Sequence, residues 1–336
     1  MELIVWDGEA RYGLPSMDLK SLQMMAYIKF SGAPVTIIKS SNPFRSPTGR
    51  LPVFKCTDGA FSDFNQVATF LRKQNFSCDY ELSPKQCSEV VAYEQLLLEK
   101  LYPALVYLWW VEPKSYYDVI HKWYFSSMPF PHKLWYPRKY HQGYCDLINS
   151  MFDDPDDNQL VETELHKQAQ ECLTMLSNRL GDREYFFGRS PSTLDAVIFS
   201  YLALLLKVDL KVPVLQNHIK ACPNLSRYVS KTIQRFFPSD LRAEEQAKRI
   251  LPCSSVMEPN LHSEAHRSTD TRDSPPKDDV PNKGRNLLLS GLVAFSAMFG
   301  YAIAAGLVQV DMGEPPTEDD YDYEYDDYND GESGGS

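Results

Sequence analysis

No two of the seven cysteines (Cys56, Cys78, Cys87, Cys145, Cys172, Cys222, Cys253) lie closer than nine residues apart. The chain therefore has no Cys-x-x-Cys redox pair and no zinc knuckle, and an odd, scattered set fits a reducing compartment better than a disulfide framework. GxGxxG, the P-loop and HExxH are equally absent, which removes the usual dinucleotide, nucleotide and zinc-protease chemistries. The seven histidines (His121, His132, His141, His166, His218, His262, His266) show no metal-ligand spacing. His262 and His266 are four apart, but in a polar stretch where a solvated pair is expected. No catalytic, cofactor-binding or metal-binding residue is assigned.

The opening residues MELIVWDGEARYG lack a basic leader and an extended apolar run, so neither a secretory signal nor an Arg-rich import presequence is expected. A basic surface is missing too. The net charge of -11 comes from residues 311–336, which hold eleven Asp or Glu and no Lys or Arg; the remainder balances at 34 acids and 34 bases. A neutral body offers no electrostatic footprint for nucleic acid.

What is present is apolar and aromatic: 43% hydrophobic residues and 12% aromatic over 336 residues, enough for a sizeable core. The first 78 residues read as a thioredoxin-like unit. A strand covers Leu3 to Trp6, an amphipathic helix Met17 to Phe30 and a β-branched strand Val35 to Ile38. After them come GRLPVF and a helix from Gln66 to Gln74. Pro52 stands at a strand start, where a cis peptide fits. From 83 to 238 the pattern is helical. Ser83-Pro84-Lys85-Gln86 is a capping box opening a helix expected to run through Trp109 with a kink at Pro103, and further helices are expected over 115–127, 138–151 and 159–180.

In FFGRSPSTLDAVIFSYLALLL, residues 186–206, one carboxylate stands at the mouth of an otherwise apolar helix. Ser192 and Asp195 are spaced to cap that helix reciprocally, each accepting the other's backbone N–H. Asp195 is thus read as a cap; a general base would need a neighbouring His or nucleophile.

Residues 239–285, rich in Ser, Pro, Asp, Lys and Arg, are expected to form a disordered tether. Within 286–310, Leu287 to Val308 are 22 uncharged, mostly apolar residues, about 33 Å of helix at about 1.5 Å each. This is the single membrane span expected, making the lipid bilayer a partner. Lys277, Lys283 and Arg285 before it and only acids after it place the N-terminal bulk in the cytosol and the acidic tail, 311–336, across the membrane. Ser296, Gly300 and Ala304 form a smooth strip on which another helix could pack.

A thioredoxin-like half, a proline opening its third strand and a helical half whose central helix begins Ser-x-x-Asp together resemble the glutathione transferase fold over residues 1 to 238. The tracts NPFRSPTGRLPVF, KWYFSSMPFPHKLWYP, FFGRSPSTLDAVIFSYLALLL and GRNLLLSGLVAFSAMFGYAIAAG resemble the metaxins more narrowly. The resemblance implies a subunit of the mitochondrial outer-membrane sorting and assembly machinery. Its implied partners are a second metaxin, the barrel-shaped core subunit and the β-barrel precursors whose insertion it aids.

A working glutathione transferase needs a hydroxyl or thiol after the first strand and an acid-Ser pair at a later helix start. Here the only nearby hydroxyls are Tyr12 and Ser16, and the pair reads Asp63-Phe64, so loss of the tripeptide grip is expected. Two other readings stay open on the sequence: a residual transferase, and a tail-anchored adaptor in mitochondrial morphology or contact sites. The aromatic tract 122–137 has two readings as well. Its rings either fill the core or, at Trp123, Phe130 and Trp135, form a docking surface.

Overall fold

The computed structural model describes residues 1–152 and 158–250. Strand β1 (Glu2–Trp6) turns Leu3 and Val5 into the core and pairs parallel with β2 (Thr36–Ser40), Leu3 facing Ile37. On its other side β1 runs antiparallel to β3 (Val53–Cys56), which pairs antiparallel with β4 (Gly59–Phe61), giving the order β2-β1-β3-β4. Helix α1 (Leu19–Ser31) makes the parallel crossover and α2 (Phe64–Lys73) follows the hairpin. A parallel βαβ unit joined to an antiparallel ββα unit is the thioredoxin-like half expected from the sequence. The Leu51–Pro52 peptide at the head of β3 is cis.

The helical half opens at α3 (Pro84–Leu96), where Ser83 N–H donates to Gln86 Oε1 at 2.8 Å and Gln86 N–H to Ser83 Oγ at 3.4 Å. Around Pro103, where the sequence suggests a kink, the helix widens. Residues Leu97–Leu101 form a π-helical turn ahead of α4 (Tyr102–Val106), and Tyr107–Val111 a second one behind it. Pro103 has no N–H, and its ring would strike the carbonyl four residues back in a regular helix. Widened turns beside it let the helical path run on to Val111.

A short α5 (Pro113–Ser115) and a third wide turn (Tyr116–Ile120) lead into α6 (His121–Ser127). After them come α7 (Tyr136–Ser150) and α8 (Asn158–Leu180), the latter stopped by Gly181 at φ 56°. At the centre lies α9 (Thr193–Lys207), with every residue from Thr193 to Leu205 buried. It is enclosed by α1, α3, α4, α10 (Val214–Ala221) and α11 (Pro223–Phe236). A helix surrounded on all sides has no polar face to display, which is why its sequence is apolar throughout. The α1–α9 contact fuses the thioredoxin-like and helical halves into one continuous core.

The tether expected from residue 239 opens instead with a helix, α12 (Pro238–Ile250). Its composition is polar because ion pairs hold it: Asp240 to Lys39 at 3.0 Å and the buried Glu244 to Lys207 at 2.9 Å, with Leu241 packed against the core. No apolar stripe announces such a helix. The rest of the tether, the span 287–308, the strip Ser296, Gly300 and Ala304, and the acidic tail lie outside the described residues. Among the described residues no helix is long and apolar enough to cross a membrane.

Candidate functional site

Thiol chemistry in a transferase of this fold would sit where the β1–α1 connection faces the start of α2. Both places are filled by this chain's own groups. Along the connection, Tyr12 is 4% exposed, and burial pushes its hydroxyl up to about 12. A phenol so placed neither reaches a ligand nor ionises near neutrality. Ser16 is fully buried, and its Oγ accepts from Asp18 N–H at 3.2 Å. The Asp18 carboxylate in turn caps α1 by accepting from Ser21 N–H at 2.8 Å.

Helix α12 lies directly on this connection. Gly13, at φ 62°, leaves no side chain in its way: a Cβ there would stand 2.1 Å from Glu244 Oε2. Glu244 itself reaches past Gly13 to the Lys207 ammonium at the end of α9. The left-handed backbone and the missing side chain thus let α12 settle against the connection.

At the start of α2, Asp63 accepts from Asn65 N–H at 2.8 Å and from Gln66 N–H at 3.1 Å, so two of the free amides of that terminus are already used. Phe64 occupies the place of the expected hydroxyl and turns its ring edge-on to Tyr27, centroids 5.6 Å apart.

The Ser192–Asp195 pair lies elsewhere, inside the core at the head of α9. Asp195 accepts from Ser192 N–H at 2.9 Å, Ser192 O–H at 2.6 Å and Phe186 N–H at 3.1 Å, while its own N–H donates to Ser192 Oγ at 3.4 Å. Burial pushes its carboxyl up to about 6, against the lowering effect of those donors. The neighbouring amide of Thr193 donates to Asp79 at 2.9 Å, tying the linker between the halves to the same helix start. No imidazole hydrogen-bonds the Asp195 carboxylate among the described residues; it completes the capping box at the head of α9.

The aromatic tract divides. Trp123, a candidate for the docking surface, is 5% exposed and packs edge-on against Trp6 of β1 at 5.9 Å, so it belongs to the core. The regular turn of α6 aims it inward, whereas the loop after α6 aims its rings out. Phe130 is 73% and Trp135 44% exposed. Sequence reasoning missed the third member of that surface, Phe44, exposed after β2 and set against Trp135 at 5.6 Å and His132 at 4.3 Å. Only the tertiary fold brings it there. An open hollow of about 270 Å³ lies beside these rings, lined by Ser41, Asn42, Ser127, Met128 and Pro129. Among the described residues no group of three or more His, Cys, Asp or Glu could hold a metal ion.

Residues 21–141 match a family described as outer mitochondrial membrane transport complex protein, and residues 169–232 match the C-terminal domain of glutathione S-transferase. Among solved structures, a glutathione S-transferase of Ceriporiopsis subvermispora aligns at 14% identity over 69% of this chain and 98% of its own, with a TM-score of 0.49. Metaxin-1 of Macaca fascicularis is 38% identical over 318 residues, 94% of this chain and 93% of the relative. A metaxin-1 homolog of Caenorhabditis briggsae is 32% identical over 325 residues, 95% of this chain and 100% of the relative. With similarity running nearly end to end at that level, the chain belongs to the metaxin family.

Proposed function

We propose that this chain is a non-enzymatic subunit of a protein-transport complex of the mitochondrial outer membrane, its transferase scaffold serving as a docking body. The observation that carries the reading is the arrangement at the cradle: Asp63 takes the Asn65 and Gln66 amides, Phe64 stands in place of the hydroxyl and α12 covers the β1–α1 connection. Fold alone assigns no chemistry, and the two hydroxyls at this site, Tyr12 and Ser16, are both buried. Kinship with proteins described as outer mitochondrial membrane transport components supports the cellular setting.

More finely, the chain acts in the sorting and assembly machinery. There it pairs with a second metaxin, contacts the barrel core subunit and aids insertion of β-barrel precursors. Leu287 to Val308 is its single span, with the bulk in the cytosol and residues 311–336 in the intermembrane space. The basic residues before the run and the acids after it support that orientation. The strip Ser296, Gly300 and Ala304 supplies a close-packing face to a partner helix.

Purification of the tagged full chain from mildly solubilised outer membranes tests the assignment. The expected result is recovery of a second metaxin and a barrel-assembly component together, with barrel proteins falling on depletion. Recovery of the chain by itself, or altered organelle shape with barrel levels intact, contradicts it.

A further inference from the structure

The loop between α6 and α7 combines two features that the docking role alone does not require. From Val119 to Cys145 the sequence contains no Asp or Glu, yet it carries Lys122, Lys133, Arg138 and Lys139; the flanking acids are Asp118, paired with Lys122 at 3.1 Å, and Asp146, paired with Gln142 at 2.9 Å. In a body whose charges otherwise balance, an acid-free stretch of this length is a local excess of positive charge.

Within the same stretch Trp123, Tyr124, Met128 and Tyr136 are buried, but several other large apolar side chains are exposed. Phe125, Phe130, Leu134 and Trp135 all face solvent, and Phe44 joins them from the adjacent half. They form a connected surface: Phe44 stands 5.6 Å from Trp135, and the Lys133 ammonium lies 4.5 Å over the Phe125 ring. Exposed Trp, Phe and Leu interleaved with Lys and Arg suit the boundary of a lipid bilayer. There the rings enter the headgroup level and the cations meet anionic phosphates. A protein partner would equally cover the rings, but the lack of Asp and Glu across residues 119–145 favours an anionic surface.

The chain also supplies the proximity. Residues 251–286, 36 in number, separate α12 from the apolar run at Leu287. At no more than about 3.6 Å per residue they keep the folded body within about 130 Å of any bilayer that run enters.

We propose that this loop, with Phe44, is an interfacial anchor that lays the folded body on an anionic lipid surface. The proposal rests on the membrane location argued above, and the experiment separates the two. Of the five tryptophans, Trp6, Trp109, Trp110 and Trp123 are buried and Trp135 is the exposed one, so lipid-borne quenchers report on it selectively. The full-length chain is reconstituted into vesicles of equal parts phosphatidylcholine and phosphatidylglycerol, with plain or brominated acyl chains.

The expected result is a loss of up to one fifth of the emission, the share of one tryptophan among five. High salt and the double variant Phe130→Ser, Leu134→Ser should weaken it, and Trp135→Phe should remove it. Equal emission in plain and brominated vesicles, from a chain that resists alkaline carbonate extraction, overturns the anchor and leaves the membrane reading standing. Quenching of a chain that carbonate does extract supports the anchor and contradicts the span. Burial of Trp135 that appears only when outer-membrane proteins accompany the lipid assigns the face to a protein partner and overturns the proposal.

Discussion

Replacing Phe199 with alanine is expected to cost about 3–5 kcal/mol of folding stability. The residue sits mid-way along α9 with no exposed surface, stacked face to face on Phe237 at 5.8 Å and 4°, and beside Phe30 of α1 at 6.4 Å. Its ring therefore touches the sheet-side helix, the central helix and the residue that leads into α12. Truncation opens a void between layers that cannot collapse without moving both halves. Chemical denaturation of the full-length protein measures the effect. A loss under about 1 kcal/mol would mean that the α1–α9 seam is looser than described. Phe199→Leu keeps most of the volume and should cost far less.

Asp195 gives the second large effect. Asp195→Ala removes the acceptor for two buried backbone N–H groups and for the Ser192 hydroxyl, and should cost on the order of 2–4 kcal/mol. Asp195→Asn keeps the shape but turns a donor toward one of those donors, so it too destabilises.

The wild-type carboxyl also carries a pH signature. Its folded value, raised by burial to about 6, lies above the ordinary 3.8, so between those values the native state holds more protons than the unfolded state. Stability contributed by this group is thus highest below about 4 and falls as pH rises to about 6, by on the order of 2–3 kcal/mol. Glu94, pushed by burial up to about 7 with Asp79 beside it, acts in the same direction over a slightly higher range. Comparison of wild type with Asp195→Asn across that window isolates the Asp195 contribution. A flat difference would contradict the burial that sets it.

The features legible in the sequence were those fixed over three or four residues. Both capping boxes, Ser83 with Gln86 and Ser192 with Asp195, follow from the spacing of donors and acceptors within one helical turn. Helix α9 declares itself because a fully enclosed helix must be apolar all round. The strands appear through β-branched runs bounded by Gly and Pro.

What stayed hidden depends on tertiary partners. Helix α12 is held by Lys39 and Lys207, which lie 201 and 37 residues away from Asp240 and Glu244, and its own pattern resembles that of a solvated tether. The widened turns beside Pro103 are one of several ways to accommodate a missing N–H, and spacing does not choose among them. Aromatic richness likewise does not reveal that Trp123 turns inward while Phe130 and Trp135 turn out. The candidate cradle is half legible: Phe64 in place of a hydroxyl is read directly, whereas the double amide cap by Asp63 and the cover by α12 need the fold.

We propose that Asp63, Phe64 and α12 leave this glutathione-transferase-like fold unable to hold glutathione. Calorimetric titration of the full-length protein with millimolar glutathione tests it most directly. The account predicts no heat of binding; a saturable heat, accompanied by conjugation of a model electrophile above the uncatalysed rate, would contradict it.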